Sequence, residues 1–136
     1  IANKKIEIEE VFKTDNLGKV EYYQKTTGKT YYGMSKTKAA VNEIKNLKNT
    51  IDQSAEELVS FKNEITSAKT NLSNLKSQLD AYQTAGDWQG YNNFVPIYNA
   101  EVIKYNQKID DYQKRLDLYN SNVDQYNQAQ KNLFQS

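Results

Sequence analysis

The sequence contains no cysteine and no histidine. Without cysteine the chain forms no disulfide bond and offers no thiolate nucleophile. Without histidine it lacks the commonest general base and the commonest ligand for transition metals. No phosphate-binding loop, EF-hand or zinc motif is present either. We therefore expect a protein that is not an enzyme, with no catalytic residues, no cofactor and no metal site.

Long apolar runs and a strong net charge are also missing. No run approaches the roughly 20 apolar residues of a membrane-spanning helix, so no transmembrane segment is expected. The formal charge of +1 gives no reason to expect nucleic acid as a partner. Hydrophobic residues make up 38% of the chain, which is too little for a thick core but enough for a narrow seam.

Tyrosine recurs every seven residues through the second half of the chain. The repeat comprises Tyr91, Tyr98, Tyr105, Tyr112, Tyr119 and Tyr126, with Leu133 in the next place. An apolar residue follows each of the first five by four positions: Val95, Val102, Ile109, Leu116 and Val123. Alternating steps of four and three are the a/d pattern of a coiled coil, and such a helix needs a partner to bury its seam.

The first half of the chain supplies that partner. Its a positions hold Ile44, Ile51, Leu58, Ile65, Leu72 and Leu79. Its d positions hold Leu47, Ser54, Phe61, Ala68, Leu75 and Tyr82. Ser35 or Thr37 can cap this helix at its start. Two helices of similar length joined by a short turn run antiparallel. We predict a mainly α fold, an antiparallel two-helix coiled-coil hairpin over residues 35–136, with helix 1 at about 36–85, a turn at about 86–90 and helix 2 at about 91–134.

Pro96 leaves the start of the second helix open. Either the helix begins near Trp88 and kinks at Pro96, or it begins near Phe94 with Pro96 in its first turn. We slightly favour the first alternative, because Tyr91 and Val95 already follow the repeat.

Residues 1–34 read as a separate, small three-stranded β-meander. Alternating side chains predict a first strand over residues 5–12, with a bulge or the strand end near Glu10. Turns are expected at 15–18 and 26–29, where Gly28 can adopt a positive φ. The second and third strands are predicted over 20–24 and 30–33.

Three aromatic residues lie at the turn between the helices: Trp88, Tyr91 and Phe94. They either plug the end of the seam or form a binding tip, because exposed aromatics on loops anchor partners. Only two helices supply walls at this end, so we expect Trp88 to stay exposed. As a binding site, the tip would contact a receptor, a glycan or a membrane surface.

The stretch 86–99 reads GDWQGYNNFVPIYN and leads into the tyrosine–asparagine heptads. Together, about residues 40–130 resemble a coiled-coil hairpin of exported or membrane-anchored bacterial proteins. Some of those are similar to matrixin metalloproteases in a separate C-terminal part. The protease motif needs histidine, so this resemblance implies no enzymatic role for this chain. It implies a structural spacer or protein-interaction module, with another protein or a cell-surface component as partner; self-association is left open.

The eleven tyrosines and many asparagines are typical of an exported bacterial surface protein, so an extracytoplasmic location is expected. Ile1 is not an initiator methionine. We therefore expect a processed product or an excised fragment.

Overall fold

The computed structural model describes residues 5–8, 10–14, 19–34 and 38–133. Its elements in chain order are β1 (Glu10–Thr14), β2 (Lys19–Gln24), β3 (Lys29–Met34), α1 (Lys38–Ala85) and α2 (Trp88–Asn132). The fold is mainly α, with two long helices packed against each other as a hairpin and an N-terminal three-stranded antiparallel sheet. The predicted fold class is thereby confirmed.

The chain divides into two compact units. The first unit comprises Ile1–Glu56 and Leu116–Ser136, and the second unit comprises Glu57–Arg115. The first unit therefore contains the sheet together with the N-terminal part of α1 and the C-terminal part of α2. The second unit contains the rest of both helices and the turn that joins them.

The sheet has the strand order β1-β2-β3, and each neighbouring pair is antiparallel. Val20 and Tyr22 of β2 share one face and are buried, at 2% and 3% exposure. Their neighbours across the β1 ladder are Thr14 and Phe12. The alternation of buried and exposed residues along β2 is the two-residue period of a sheet that covers a core on one side.

The β2–β3 connection is the predicted hairpin turn. Gly28 adopts a φ of 69°, and its N–H donates to the carbonyl oxygen of Gln24 at 2.8 Å. Glycine is favoured here because a positive φ is costly for residues that carry a Cβ.

The start of the first strand differs from its prediction. The sequence predicts a strand from Lys5, whereas residues 5–8 are not in the sheet and β1 begins at Glu10. The N–H of Ile6 donates instead to Oδ1 of Asn120 at 2.8 Å, and the Lys5 ammonium lies 4.9 Å from the centre of the Tyr119 ring. This segment therefore bonds to α2 rather than to a strand. The predicted turn at 15–18 and the candidate caps Ser35 and Thr37 lie outside the described residues.

The seven-residue repeat places its side chains on the shared face of the helices. The buried members in the first unit are Ile44, Ile51, Leu116, Tyr119, Val123, Tyr126 and Leu133. In the second unit Leu58 and Leu79 are buried, whereas Tyr91, Tyr98, Tyr105 and Tyr112 are half-buried. Ile109 departs from the seam that the repeat predicts, with 38% of its surface exposed. Only two helices supply walls in the second unit, which explains its thinner core.

Candidate functional site

The turn between the helices is closed by backbone hydrogen bonds at the end of α1. Gly86 has a φ of 69°, and its N–H donates to the carbonyl of Gln83 at 3.1 Å. The N–H of Asp87 donates to the carbonyl of Tyr82 at 2.9 Å. These two bonds form a Schellman motif, which satisfies carbonyl groups that the helix end leaves without donors.

Asp87 then starts the second helix as its N-cap. Its Oδ1 accepts a hydrogen bond from the N–H of Gly90 at 2.9 Å. A carboxylate at this place also interacts favourably with the helix dipole. The helix consequently begins at Trp88, three residues before the predicted bound of 91, and Pro96 lies inside it. This start agrees with the first of the two alternatives that Pro96 left open.

Gly90 permits a close approach between the two helices. A Cβ atom at this position would lie 2.7 Å from ring atoms of Tyr82 and 2.6 Å from Oδ2 of Asp87. The Tyr82 ring therefore packs directly over the backbone at Gly90. Phe94 contacts the same ring, with a centroid separation of 5.9 Å. Tyr82 and Phe94 together close this end of the seam.

The structure separates the three aromatic residues that the sequence grouped. Trp88 is 55% exposed, which confirms its predicted exposure. Its ring meets that of Tyr91 edge-on at 5.6 Å, with an interplanar angle of 70°. Phe94 is directed to Tyr82 instead. Trp88 and Tyr91 are thus a candidate contact pair (the tip pair), while Phe94 belongs to the packing of the turn.

A charged pair on α1 lies electrostatically close to the tip pair. Nζ of Lys76 donates to Oδ1 of Asp80 at 2.8 Å. This hydrogen bond and the charge of Asp80 raise the pKa of the Lys76 ammonium above its ordinary value, and the phenol groups of Tyr98 and Tyr91 act in the same direction. Of the tip pair, Tyr91 therefore lies within electrostatic range of the Lys76 ammonium.

Sequence reasoning missed a groove in the first unit. Its volume is about 550 Å³, and its lining includes Phe12, Lys13, Thr14, Ile44, Lys45, Lys48, Asn49 and Tyr126. These residues come from β1, α1 and α2, so no local motif marks them. In the sequence, the groove is indicated by two lysines, Lys45 and Lys48, which follow the seam residue Ile44 on α1.

In the part of the chain that the structure describes, no group of three or more Asp or Glu side chains is placed to hold a metal ion. Neither α1 nor α2 carries the apolar stretch that crossing a bilayer requires.

Comparisons with models of known protein families, with curated proteins and with solved structures find no match to this chain. The resemblance to bacterial coiled-coil hairpins accordingly stays a prediction from the sequence.

Proposed function

We propose that the chain is a structural spacer and protein-interaction module of an exported bacterial protein, built as a coiled coil and without enzymatic activity. The observation that carries this proposal is the length of the helices relative to the turn that joins them. α1 has 48 residues and α2 has 45, and Gly86 and Asp87 alone separate them. At 1.5 Å per residue, α1 has an axial rise of about 72 Å.

The surface chemistry of the helices supports a spacer. Away from the seam, α1 carries exposed pairs such as Lys48–Asp52 and Lys76–Asp80, which are four residues apart. Exposed pairs of this kind contribute little to stability, because solvent screens the two charges. They maintain helix formation and solubility without creating a site for chemistry. The partner in this proposal is another protein or a cell-surface component, and the location is extracytoplasmic.

A distance measurement between spin labels tests whether α1 keeps a fixed length in the second unit. We choose Asn63 and Gln83, both exposed on α1 in the second unit, and replace them by labelled cysteines. A continuous helix places these positions about 30 Å apart. A single narrow distance distribution near that value supports the spacer.

A matched variant calibrates this measurement. Asn74→Pro breaks the helix between the labels, because proline removes a backbone donor and clashes with the preceding turn. We expect a broader distribution for this variant. If the unmodified sequence already shows a distribution as broad as that of Asn74→Pro, the helix is not a rigid spacer.

The second candidate function is binding through the tip pair. The observation that favours it is that Gly86, Asp87 and Gly90 already satisfy the turn, whereas Trp88 leaves more than half of its surface exposed. Exposed tryptophan is over-represented among residues that dominate binding energy. The ligand in this proposal is a receptor, a glycan or a membrane surface.

Tryptophan fluorescence tests this second function, because Trp88 is the single tryptophan of the chain. We expect a red-shifted emission that iodide quenches readily. Trp88→Ala should change the free energy of unfolding by less than about 0.5 kcal/mol. The matched variant Phe94→Ala should cause a larger loss, since Phe94 packs on Tyr82. A blue-shifted, protected emission would make Trp88 a structural plug and remove the binding tip.

A further inference from the structure

The groove in the first unit lies along one edge of the sheet. Three consecutive residues of β1, Phe12 to Thr14, line it. Successive side chains of a strand point to opposite faces, so a surface formed by one face of a strand involves alternate residues. Three consecutive residues border a groove when the backbone edge of the strand faces it. The groove therefore lies beside the edge of β1.

β1 is an edge strand of the sheet. Among the described residues, β1 pairs with β2 alone and forms one margin of the sheet. An edge strand directs the N–H and C=O groups of every second residue away from its ladder. These groups are the template on which an added strand forms. β1 has five residues, so its edge is about 17 Å long.

The opposite wall and the floor give the groove its selectivity. Ile44 and Tyr126 line the groove but are almost fully buried, so the half-buried Phe12 is the one of these three apolar side chains that a ligand can reach. A volume of about 550 Å³ lies within the ~300–1,000 Å³ range of ligand-binding pockets. Such a surface accommodates an apolar side chain of an extended peptide beside Phe12.

The rim of the groove is positively charged. Lys13, Lys45 and Lys48 line it, and none of its described lining residues is acidic. Lys48 is engaged by Asp52, but both side chains of that pair are largely exposed. Exposed pairs are weak, so a competing carboxylate can replace Asp52 at little cost. Lys45 is exposed and has no carboxylate partner among the described residues.

We propose that this groove binds a short, extended acidic peptide, which adds to the sheet as a fourth strand beside β1. Backbone groups of β1 supply the affinity, and Lys45 and Lys48 select glutamate or aspartate side chains on the bound strand. The surface is independent of the tip pair, and it gives the interaction module a defined class of partner.

Fluorescence anisotropy on the full 136-residue chain tests the proposal. The probe is a fluorescein-labelled heptapeptide in which glutamate alternates with valine. We expect saturable binding that weakens as salt is added, because exposed charges are screened. A matched heptapeptide with lysine in place of glutamate should not bind. The glutamate peptide with N-methyl groups on alternate amides should bind at least about tenfold more weakly, since it cannot pair as a strand.

Two variants locate the site. Lys45→Glu should weaken binding of the glutamate peptide about tenfold, because it places a like charge at the rim. The matched control is Lys69→Glu, the same change at an exposed position of α1 in the second unit, and it should leave binding unchanged. Lys45→Gln, which removes the charge without reversing it, should give an intermediate loss. The far-ultraviolet circular dichroism of each variant reports whether α1 and α2 remain folded.

Several results would overturn the proposal. Absence of binding at millimolar peptide would do so, as would equal losses in Lys45→Glu and Lys69→Glu. Undiminished binding of the N-methylated peptide would mean that charge alone holds the probe. Sedimentation equilibrium tests whether a second copy of the chain occupies the groove instead of a peptide. A dimer of the free chain that Lys45→Glu dissociates would place a second copy in the groove and exclude the peptide.

Discussion

Gln130 is the buried residue that departs most from the seven-residue pattern. It lies four positions after Tyr126, where the repeat leads us to expect an apolar side chain, and its exposure is 0%. Neither Nε2 nor Oε1 of its amide has a hydrogen-bond partner among the residues that the structure describes. A buried amide without a partner costs about 1–3 kcal/mol. A single polar side chain in a seam can nevertheless select one register over others.

Replacing this amide should therefore stabilise the protein. We expect Gln130→Leu to raise the free energy of unfolding by about 1–2 kcal/mol, because leucine has a similar size and needs no partner. Urea denaturation measures the change. The control is Gln128→Leu at an exposed position, which should alter stability by less than about 0.5 kcal/mol. A loss of stability in Gln130→Leu would show that an ordered water satisfies the amide.

Tyr119 makes the free energy of unfolding depend on pH in the alkaline range. Burial of its phenol raises its pKa above the ordinary value of 10.0, and the charges of Glu7 and Asp52 add to the effect. The folded chain thus favours the neutral phenol. Its contribution to stability is complete below the unfolded pKa and is lost as the pH rises through the folded pKa.

We expect the free energy of unfolding to fall between about pH 9 and about pH 11, and to fall less in Tyr119→Phe. Tyr32→Phe is the matched control, because it makes the same change in a ring that is 76% exposed. Urea melts at the two pH values give the comparison. Equal slopes for Tyr119→Phe and the unmodified protein would contradict this account.

At the scale of elements, the ends of the helices show where local signals suffice. Glycine is favoured just after a helix and aspartate just before one, and the hydrogen bonds at Gly86 and Asp87 show these two roles. The predicted start of helix 2, at residue 91, nevertheless lies three residues after the observed start at Trp88, because Gly90 and Pro96 have poor helix propensity. The cap at Asp87 and the packing of Tyr82 over Gly90 outweigh that propensity.

The first strand shows where local signals fail. The alternation from Ile6 to Ile8 is a valid strand pattern, yet the segment bonds to Asn120, which lies 114 positions away. A local pattern carries no information about such a distant partner. The tyrosines of β2 and β3 give a second example: Tyr22 is buried, whereas its cross-strand partner Tyr31 is 40% exposed.

The helical seam should dominate stability in the second unit. Leu58 is buried at an a position, so Leu58→Ala should cost about 2–5 kcal/mol through lost burial and a residual cavity. Asp111→Ala, on an exposed face of α2, should cost less than about 0.5 kcal/mol. The midpoint of urea unfolding distinguishes the two. Similar losses in both variants would mean that the repeat does not define the buried face.

At the scale of the whole molecule, the heptads predicted two helices, and the short turn between them predicted their antiparallel course and the exposure of Trp88. The groove beside β1 could not be predicted, because it requires the register between a strand and a helix that are distant in sequence. From the sequence alone, Lys45 is therefore indistinguishable from other exposed lysines of the helix. Its place opposite β1 becomes visible only when the two elements are packed.

The central claim is that one chain folds back on itself, with Ile65 and Tyr112 on the shared face of the helices. Both residues are half-buried in the second unit, and Tyr112 stacks on Phe61, four residues before Ile65, at 6.3 Å. The chain has no native cysteine, so any disulfide bond that forms must join introduced cysteines.

The double variant Ile65→Cys, Tyr112→Cys tests this claim most directly, with mild oxidation followed by electrophoresis without reductant. The control pair is Val59→Cys, Ile103→Cys, two exposed positions outside the seam that an antiparallel register separates by more than the ~7 Å a disulfide can span. We predict rapid crosslinking of Ile65→Cys, Tyr112→Cys within one chain, at the mass of the monomer, and none for the control. Crosslinks that form only between two chains would contradict the hairpin and indicate a swapped or parallel dimer.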